Sequence, residues 1–175
     1  RLDGVTGVQT CALPILFEVY LGIGSNIGDS KMNLQNCIEA LNLNIGKVSI
    51  VSSVYETEAW GNQNQANFFN QVVQISTDIL PFELLKKIKE IEIHLGRTKT
   101  EKWGPRVVDI DILLYSNFHF TAANLQIPHA FLQERKFVLA PLAEINPDLI
   151  HPILMKKMGI LLEECKDTAW IKKIN

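Results

Sequence analysis

The chain has 175 residues, of which 47% are apolar types and 21% are charged, the size and balance of one globular domain. Lys and Arg number 17 and Asp and Glu number 19, so the formal net charge is −2, which excludes a general basic surface for nucleic acid or anionic membrane but not a local basic patch. No apolar run approaches the roughly 18 residues of a membrane-spanning helix, and three distant cysteines without metal-binding spacing favour free thiols in a reducing cytoplasm.

Residues 1–15 show neither helical nor strand periodicity, and they lack the charged start and long apolar core of a signal peptide. The stretch 5–15, VTGVQTCALPI, resembles the translation of a common sequencing-adapter oligonucleotide. We therefore expect residues 1–15 to be a non-native or disordered extension. Residues 16–175 are expected to form a single domain.

The first half of this domain predicts three strands and one helix. Phe17–Ile23 is a short apolar run that ends in Gly-Ser-Asn, as a strand entering a loop does. Asp29 or Ser30 can cap a helix that ends at Gly46. Alternating apolar residues in Lys47–Glu58 predict a half-exposed strand, and Phe68–Thr77 predicts another.

The second half predicts a helix and a strand, followed by short C-terminal elements. Pro81 suits the first turn of a one-faced helix that ends at Gly96, and Val107–Tyr115 predicts a strand. The order β-α-β-β-α-β is that of an α+β, ferredoxin-like sandwich, with both helices on one face of an antiparallel sheet. The C-terminal third predicts short elements, loops and a last helix near Met155–Glu164.

Two carboxylates on one strand face are the strongest chemical signal. Strand alternation places Asp109 and Asp111 on one face, about 7 Å apart, and Val108, Ile110, Ile112 and Leu114 on the other. Paired carboxylates suit Mg²⁺, which completes its shell with water and substrate phosphates. The alternative is a solvated strand face with two ordinary aspartates.

A basic loop adjoins this strand. Residues 97–106 hold Arg97, Lys99, Lys102 and Arg106 against one acid, Glu101. Cations beside paired carboxylates suit a nucleoside triphosphate, because Mg²⁺ bridges phosphate oxygens while Arg and Lys neutralise the rest. A plain solvated charge run is the alternative.

The remaining signals are weaker. Gly22, Gly24 and Gly28 match neither the P-loop nor the dinucleotide fingerprint, so they favour a tight turn over a phosphate-binding loop. His129 after Pro128 favours a surface or packing residue over a ligand. The aromatic residues near Asn70 favour core packing.

Several motifs together resemble one family. They are GIGSNIGD at 22–29, SVYET at 53–57, NQNQANFFNQVV at 62–73, EIHLGR at 92–97, WGPRVVDIDILLY at 103–115, and IPHAF with ERKFVLAPLAEI at 127–145. They are similar to the bacterial hydroxymethyldihydropterin pyrophosphokinases of folate biosynthesis over about residues 17–165. The resemblance implies a ferredoxin-like enzyme, an ATP-dependent diphosphotransferase. Such an enzyme transfers the β,γ-diphosphate of ATP to the 6-hydroxymethyl group of dihydropterin and releases AMP.

The resemblance also implies roles for individual residues. Asp109 and Asp111 would bind two Mg²⁺ ions, and Arg97 and Arg106 would be catalytic-loop arginines. The pterin would contact Thr57, Trp60, Phe68, Asn70 and Phe137, stacking between Phe68 and Phe137. ATP would contact Glu92, Arg97, Lys99, Trp103, Arg106, Ile112, His129 and Arg135.

The chain departs from the family pattern in places that bear on nucleotide affinity. The basic loop is one residue shorter than the pattern, and Gln126 replaces a hydroxyl residue. A non-catalytic, nucleotide-sensing module of the same fold is the alternative function. A ferredoxin-like RNA-binding domain is disfavoured by the net charge. We expect a cytoplasmic monomer that binds ATP and the pterin, and no nucleic acid or membrane.

Overall fold

A computed structural model describes residues 15–59, 65–98 and 104–174. The expected non-native extension therefore lies outside the described residues except for Ile15. Strands, in chain order, are β1 (Phe17–Ser25), β2 (Lys47–Val51), β3 (Val54–Thr57), β4 (Phe68–Thr77), β5 (Asp109–Tyr115), β6 (Phe120–Ala122), β7 (Leu125–Ile127) and β8 (Ile171–Ile174). Helices are α1 (Ser30–Asn44), α2 (Pro81–His94), α3 (Lys136–Ile145) and α4 (Met158–Glu164), with a 3₁₀ turn at Leu132–Glu134.

Six of the described strands form one antiparallel sheet, in the order β5-β1-β4-β3-β8, with β2 also paired to β4. The predicted strand over 47–58 is two strands, because Ser52 interrupts it. The Ser52 hydroxyl accepts the Val72 N–H at 3.0 Å and donates to the Ser53 carbonyl at 2.8 Å. A side-chain oxygen thus takes the place of a backbone carbonyl in the hydrogen-bond ladder. With β2 and β3 counted together, the β-α-β-β-α-β order and the ferredoxin-like α+β fold are confirmed.

The sheet has a hydrophobic core on each face. One core packs β1, β4 and β5 against the buried sides of α1 and α2. Asp29 caps α1 by accepting the Met32 N–H at 3.0 Å, as its position predicted. The other core packs the opposite face against α3 and α4. Helices α3 and α4 therefore cover the sheet face that α1 and α2 leave open.

One residue of β5 lies on a different face from the one predicted. The β1–β5 register shifts between Tyr20 and Leu21, so that Leu113 is skipped in the pairing. Leu114 consequently packs in the core beneath α3 with Tyr20, and not with Ile110 and Ile112. A bulge of this kind reverses the alternation beyond it, which a plain period of two does not foresee.

The C-terminal third holds more regular structure than predicted. The pattern gave no helix over Lys136–Ile145, because Pro141 lies inside it. The last helix begins at Met158, three residues later than expected, after Met155 adopts a positive φ of 55°. Within the described residues, no helix is long and apolar enough to cross a membrane.

Candidate active site

A cavity of about 290 Å³ opens on the sheet face that α3 covers, away from α1 and α2. This volume lies at the lower end of the range of small-molecule sites. Adjacent strands β3, β4, β1 and β5 form its floor, and α3 with the preceding turn forms one wall. Its lining includes Gly22, Gly24, Thr57, Glu58, Phe68, Asn70, Arg106, Asp109, Asp111, His129, Phe131, Arg135 and Phe137.

The carboxylates of Asp109 and Asp111 lie beside two glycines of the neighbouring strand β1. Asp109 pairs with Gly24 and Asp111 with Gly22 across the β1–β5 ladder. A Cβ at Gly24 would approach Asn70 Oδ1 to 2.9 Å, too close for a real contact. Gly22 and Gly24 therefore lie within β1 and not in a tight turn as predicted. Of the three, Gly28 alone turns the chain, with a φ of +66°.

Asp109 is held between two arginines. Arg97 Nη1 lies 2.7 Å from Asp109 Oδ1, and Arg106 Nη1 pairs with Asp109 Oδ2. Both described ends of the basic loop thus contact one carboxylate. Of the two predicted catalytic arginines, Arg106 lines the cavity, whereas Arg97 contacts the lining residue Asp109. Guanidinium groups placed this way can also bind phosphate oxygens in a bidentate manner.

Glu92 supports this arrangement from beneath, with only 1% of its surface exposed. It pairs with Arg97, lies 2.9 Å from Lys89 Nζ, and accepts the Ile110 N–H at 2.9 Å. Burial raises the pKa of Glu92, although Lys89 and Arg97 oppose that shift. Glu92 was expected to contact ATP, but it does not line the cavity. It positions Arg97 instead.

Asp111 faces His129 across the cavity floor, with 4.0 Å between Asp111 Oδ2 and His129 Nε2. Desolvation and the Asp109 carboxylate raise the pKa of Asp111, whereas desolvation lowers the pKa of His129. His129 Nδ1 accepts the Phe131 N–H at 3.2 Å, so a neutral imidazole carries its proton on Nε2. His129 thus presents a donor toward the carboxylate side of the cavity.

Four of the predicted pterin residues, Thr57, Phe68, Asn70 and Phe137, line the other end of the cavity. Phe68 and Phe137 both line it, from β4 and α3 respectively. Asn70 is buried and donates through Nδ2 to Thr57 Oγ1 at 3.0 Å, which fixes its amide. Two aromatic rings and an oriented amide are suited to a flat heterocycle with a polar edge.

Two contributors went unrecognised in the sequence. Asn26 Oδ1 accepts the Arg106 N–H at 2.7 Å, and Asn26 Nδ2 donates to Ala66 O at 3.1 Å, so one amide joins the two loops beside the site. The Phe131 ring lies 5.1 Å from Arg135 Cζ, and the Phe137 ring lies 5.7 Å from it. The only sequence signal for Phe131 was its place beside the Pro-His motif.

Besides Glu92 and Arg97, four predicted residues do not line the cavity or lie outside the described residues. Ile112 was expected to form an adenine wall, but it is buried in the core beneath α1 and α2, because alternation turns it away from Asp111. Trp60, Lys99 and Trp103 lie outside the described residues.

Asp109 and Asp111 are the residues suited to a metal. Within the described parts of the chain, no group of three or more His, Cys, Asp and Glu side chains gathers to hold an ion. Two carboxylates beside arginines nevertheless suit Mg²⁺, because this ion commonly takes one or two protein carboxylates and completes its shell with phosphates and water. The donor set therefore fits a metal that arrives with a phosphorylated ligand.

Fold and cavity together define the class: a ferredoxin-like domain with paired carboxylates and arginines at one end of its cavity and aromatic rings at the other. The model of the 7,8-dihydro-6-hydroxymethylpterin-pyrophosphokinase family matches residues 20–147, and this chain belongs to that family. Two relatives are named 2-amino-4-hydroxy-6-hydroxymethyldihydropteridine pyrophosphokinase. The Aquifex aeolicus protein is 47% identical over 140 residues, covering 80% of this chain and 87% of the relative. The Bacillus subtilis protein is 46% identical over 127 residues, covering 72% and 76%.

A solved structure shares the fold at much lower identity. It is wild-type Plasmodium falciparum HPPK-DHPS with pterin and p-hydroxybenzoate, with a TM-score of 0.72 and 16% identity. The match covers 88% of this chain but 42% of that one, so this chain spans less than half of the larger protein.

Proposed function

We propose that this protein transfers the β,γ-diphosphate of ATP to the 6-hydroxymethyl group of 6-hydroxymethyl-7,8-dihydropterin, forming the pterin diphosphate and AMP. The observation that carries the proposal is one cavity with a carboxylate and arginine end and an aromatic and amide end. A reaction between a nucleotide and a heterocycle requires both ends. The names of the 47% and 46% identical relatives support the same reaction.

The pterin would occupy the aromatic end. Phe68 and Phe137 would stack on its two faces, and Asn70, held by Thr57, would bind its polar edge. Because Asn70 and Asp109 both flank Gly24 in the sheet, a pterin read by Asn70 would direct its substituent toward the carboxylates.

The triphosphate would occupy the charged end. Arg97 and Arg106 would release Asp109 and bind phosphate oxygens in its place. Arg135 and the His129 Nε2–H would bind the phosphates from the α3 side. The hydroxymethyl oxygen would form a bond to the β-phosphorus while the bond from that phosphorus to the oxygen bridging it to the α-phosphate breaks. The hydroxyl proton would be released and AMP would leave. The protein's contribution is positioning and charge stabilisation.

Asp109 and Asp111 would hold two Mg²⁺ ions together with the ATP phosphates. When bound, Mg²⁺ neutralises phosphate charge and makes a coordinated hydroxyl more acidic, so no side-chain base is needed. The chain's own part is to hold the two carboxylates side by side. Arg97 and Arg106 fix Asp109 in place, and the raised pKa of Asp111 would fall with a cation near it.

The testing experiment is turnover with ATP, Mg²⁺ and the dihydropterin, with AMP resolved from ADP. AMP formed only with pterin present is the expected result, and ADP would refute transfer from the β-phosphorus. Asp109→Ala should abolish Mg²⁺-dependent turnover. Asp148→Ala, a surface carboxylate paired with Lys157, is the matched control.

A non-catalytic nucleotide-sensing module is the second candidate. It would bind Mg²⁺-ATP without consuming it, and binding would not depend on the pterin. The aromatic end of the cavity favours the enzyme, because a nucleotide sensor has no need of it. A monomeric state and a cytoplasmic location stay predictions, which sedimentation and fractionation would test.

A further inference from the structure

The segment 167–174 contacts both the floor of the cavity, at β3, and its α3 wall. On one side, β8 pairs with β3, Ile171 lying opposite Thr57, and the Trp170 N–H donates to Glu58 Oε1 at 3.1 Å. Thr57 and Glu58 both line the cavity. This segment also lies beyond residues 20–147, the part matched by the family model.

On the other side, Asp167 caps α3 from outside the helix. Asp167 Oδ2 accepts the Lys136 N–H at 2.9 Å, and Asp167 Oδ1 accepts the Ala169 N–H at 3.0 Å. Arg135, the residue at the N-cap position of α3, makes no capping bond with its side chain. The carboxylate thus satisfies a free N–H at the helix start and lies near the positive end of the helix dipole.

The capped end of α3 is the part that reaches the substrates. Arg135 lies at the cap and Phe137 in the first turn, and both line the cavity. Farther along, Glu144 lies 3.0 Å from Lys173 Nζ of β8 and accepts the Tyr55 hydroxyl of β3 at 2.9 Å. Helix α3 therefore contacts the C-terminal segment at two places. Asp167 makes the contact at the end of the helix that carries Phe137 and Arg135.

We propose that Asp167 is a positioning residue of the active site, which sets Phe137 and Arg135 at the start of α3 for pterin and phosphate. This inference rests on the proposed function. Asp167 touches neither substrate. Without it, the first turn of α3 frays, and the stacking ring is correctly placed for a smaller fraction of the time.

The test compares Asp167→Ala, Asp167→Asn and the control Asp148→Ala in the full chain. Binding of 6-hydroxymethyl-7,8-dihydropterin is measured by calorimetry with Mg²⁺ and a non-hydrolysable ATP analogue. Asp167→Ala should raise the Kd by up to about fivefold, the full factor that corresponds to losing a typical helix cap. Asp167→Asn keeps an acceptor oxygen, so its Kd should stay within about twofold of the wild-type value. Asp148→Ala should leave the Kd unchanged.

Amide hydrogen exchange at residues 135–139 gives a second readout that needs no substrate. Faster exchange in Asp167→Ala, with recovery in Asp167→Asn, is expected. An Asp167→Ala protein that binds the pterin as tightly as wild type would overturn this inference alone, whatever its exchange rates. A wild-type protein that binds no pterin would overturn the proposed function and this inference with it.

Discussion

Replacing Glu92 tests how much its hydrogen bond to the Ile110 N–H contributes to stability. Glu92→Ala leaves the N–H of the buried Ile110 without an acceptor, which costs about 1–3 kcal/mol. It also removes about one buried methylene, about 0.8 kcal/mol. Arg97 keeps Asp109 as a partner and is partly exposed, so its lost ion pair adds about 0.5 kcal/mol at most. The expected loss is about 3 kcal/mol, or about 9 °C in Tm for a chain of this size.

Glu92→Gln keeps an oxygen for Ile110 and removes the charge. Because burial raises the pKa of Glu92, removing the charge also removes a desolvation cost, so stability should stay within about 1 kcal/mol of wild type. Urea unfolding followed by circular dichroism measures both variants. Glu90→Ala, an exposed residue on the same helix, is the control. Equal stability of Glu92→Ala and Glu92→Gln would refute the argument from the Ile110 N–H.

Three further variants test other parts of the molecule. Arg106→Ala should lower kcat about 100-fold, as loss of a charge-stabilising donor does, and leave the pterin Kd nearly unchanged; equal losses in steady-state kinetics and calorimetry would defeat that role. Phe131→Leu removes the ring 5.1 Å from Arg135 Cζ, and should raise the KM for ATP about threefold; Phe118→Leu, another exposed phenylalanine, should not. Burial lowers the pKa of His151, whose Nδ1 accepts two backbone N–H groups. The unfolded chain therefore binds more protons below about pH 6.5, and wild-type unfolding free energy should fall by about 1.4 kcal/mol per pH unit until the folded imidazole also titrates. Urea titrations from pH 7 to 5 should show a smaller fall for His151→Asn, and parallel curves would contradict this.

The fold was predictable where side-chain periodicity reports it. The helices Ser30–Asn44 and Pro81–His94 and the strand Phe68–Thr77 follow directly from their apolar spacing. Periodicity failed where one residue changes the register. The Ser52 hydroxyl ends a strand by occupying a backbone position, and the bulge at Leu113 turns Leu114 to the opposite core. Each event coincides with a break in the alternation, but the break does not say whether the backbone ends a strand or forms a bulge.

The candidate site, like the fold, was only partly predictable from the sequence. The carboxylate pair was predictable from strand alternation and the adjoining basic loop. The role of Glu92 was not, because a buried glutamate on an apolar helix face and an exposed ligand look alike in sequence. The Asp167 contact with Lys136 joins positions 31 residues apart, and only the tertiary fold brings them together.

The glycines of β1 explain why the two ends of the cavity meet. Gly24 lies between Asn70 on β4 and Asp109 on β5 in one row of the sheet, and each of these strands is about 5 Å from β1. A side chain at position 24 would stand between the amide and the carboxylate and would collide with Asn70 Oδ1. Its absence leaves a strip of β1 backbone covered only by Asn70 Oδ1, between two strands whose backbones lie about 10 Å apart. Under the proposed function, the attacked β-phosphorus would lie over this strip, so a backbone without a side chain there is as necessary to the transfer as the charged groups beside it.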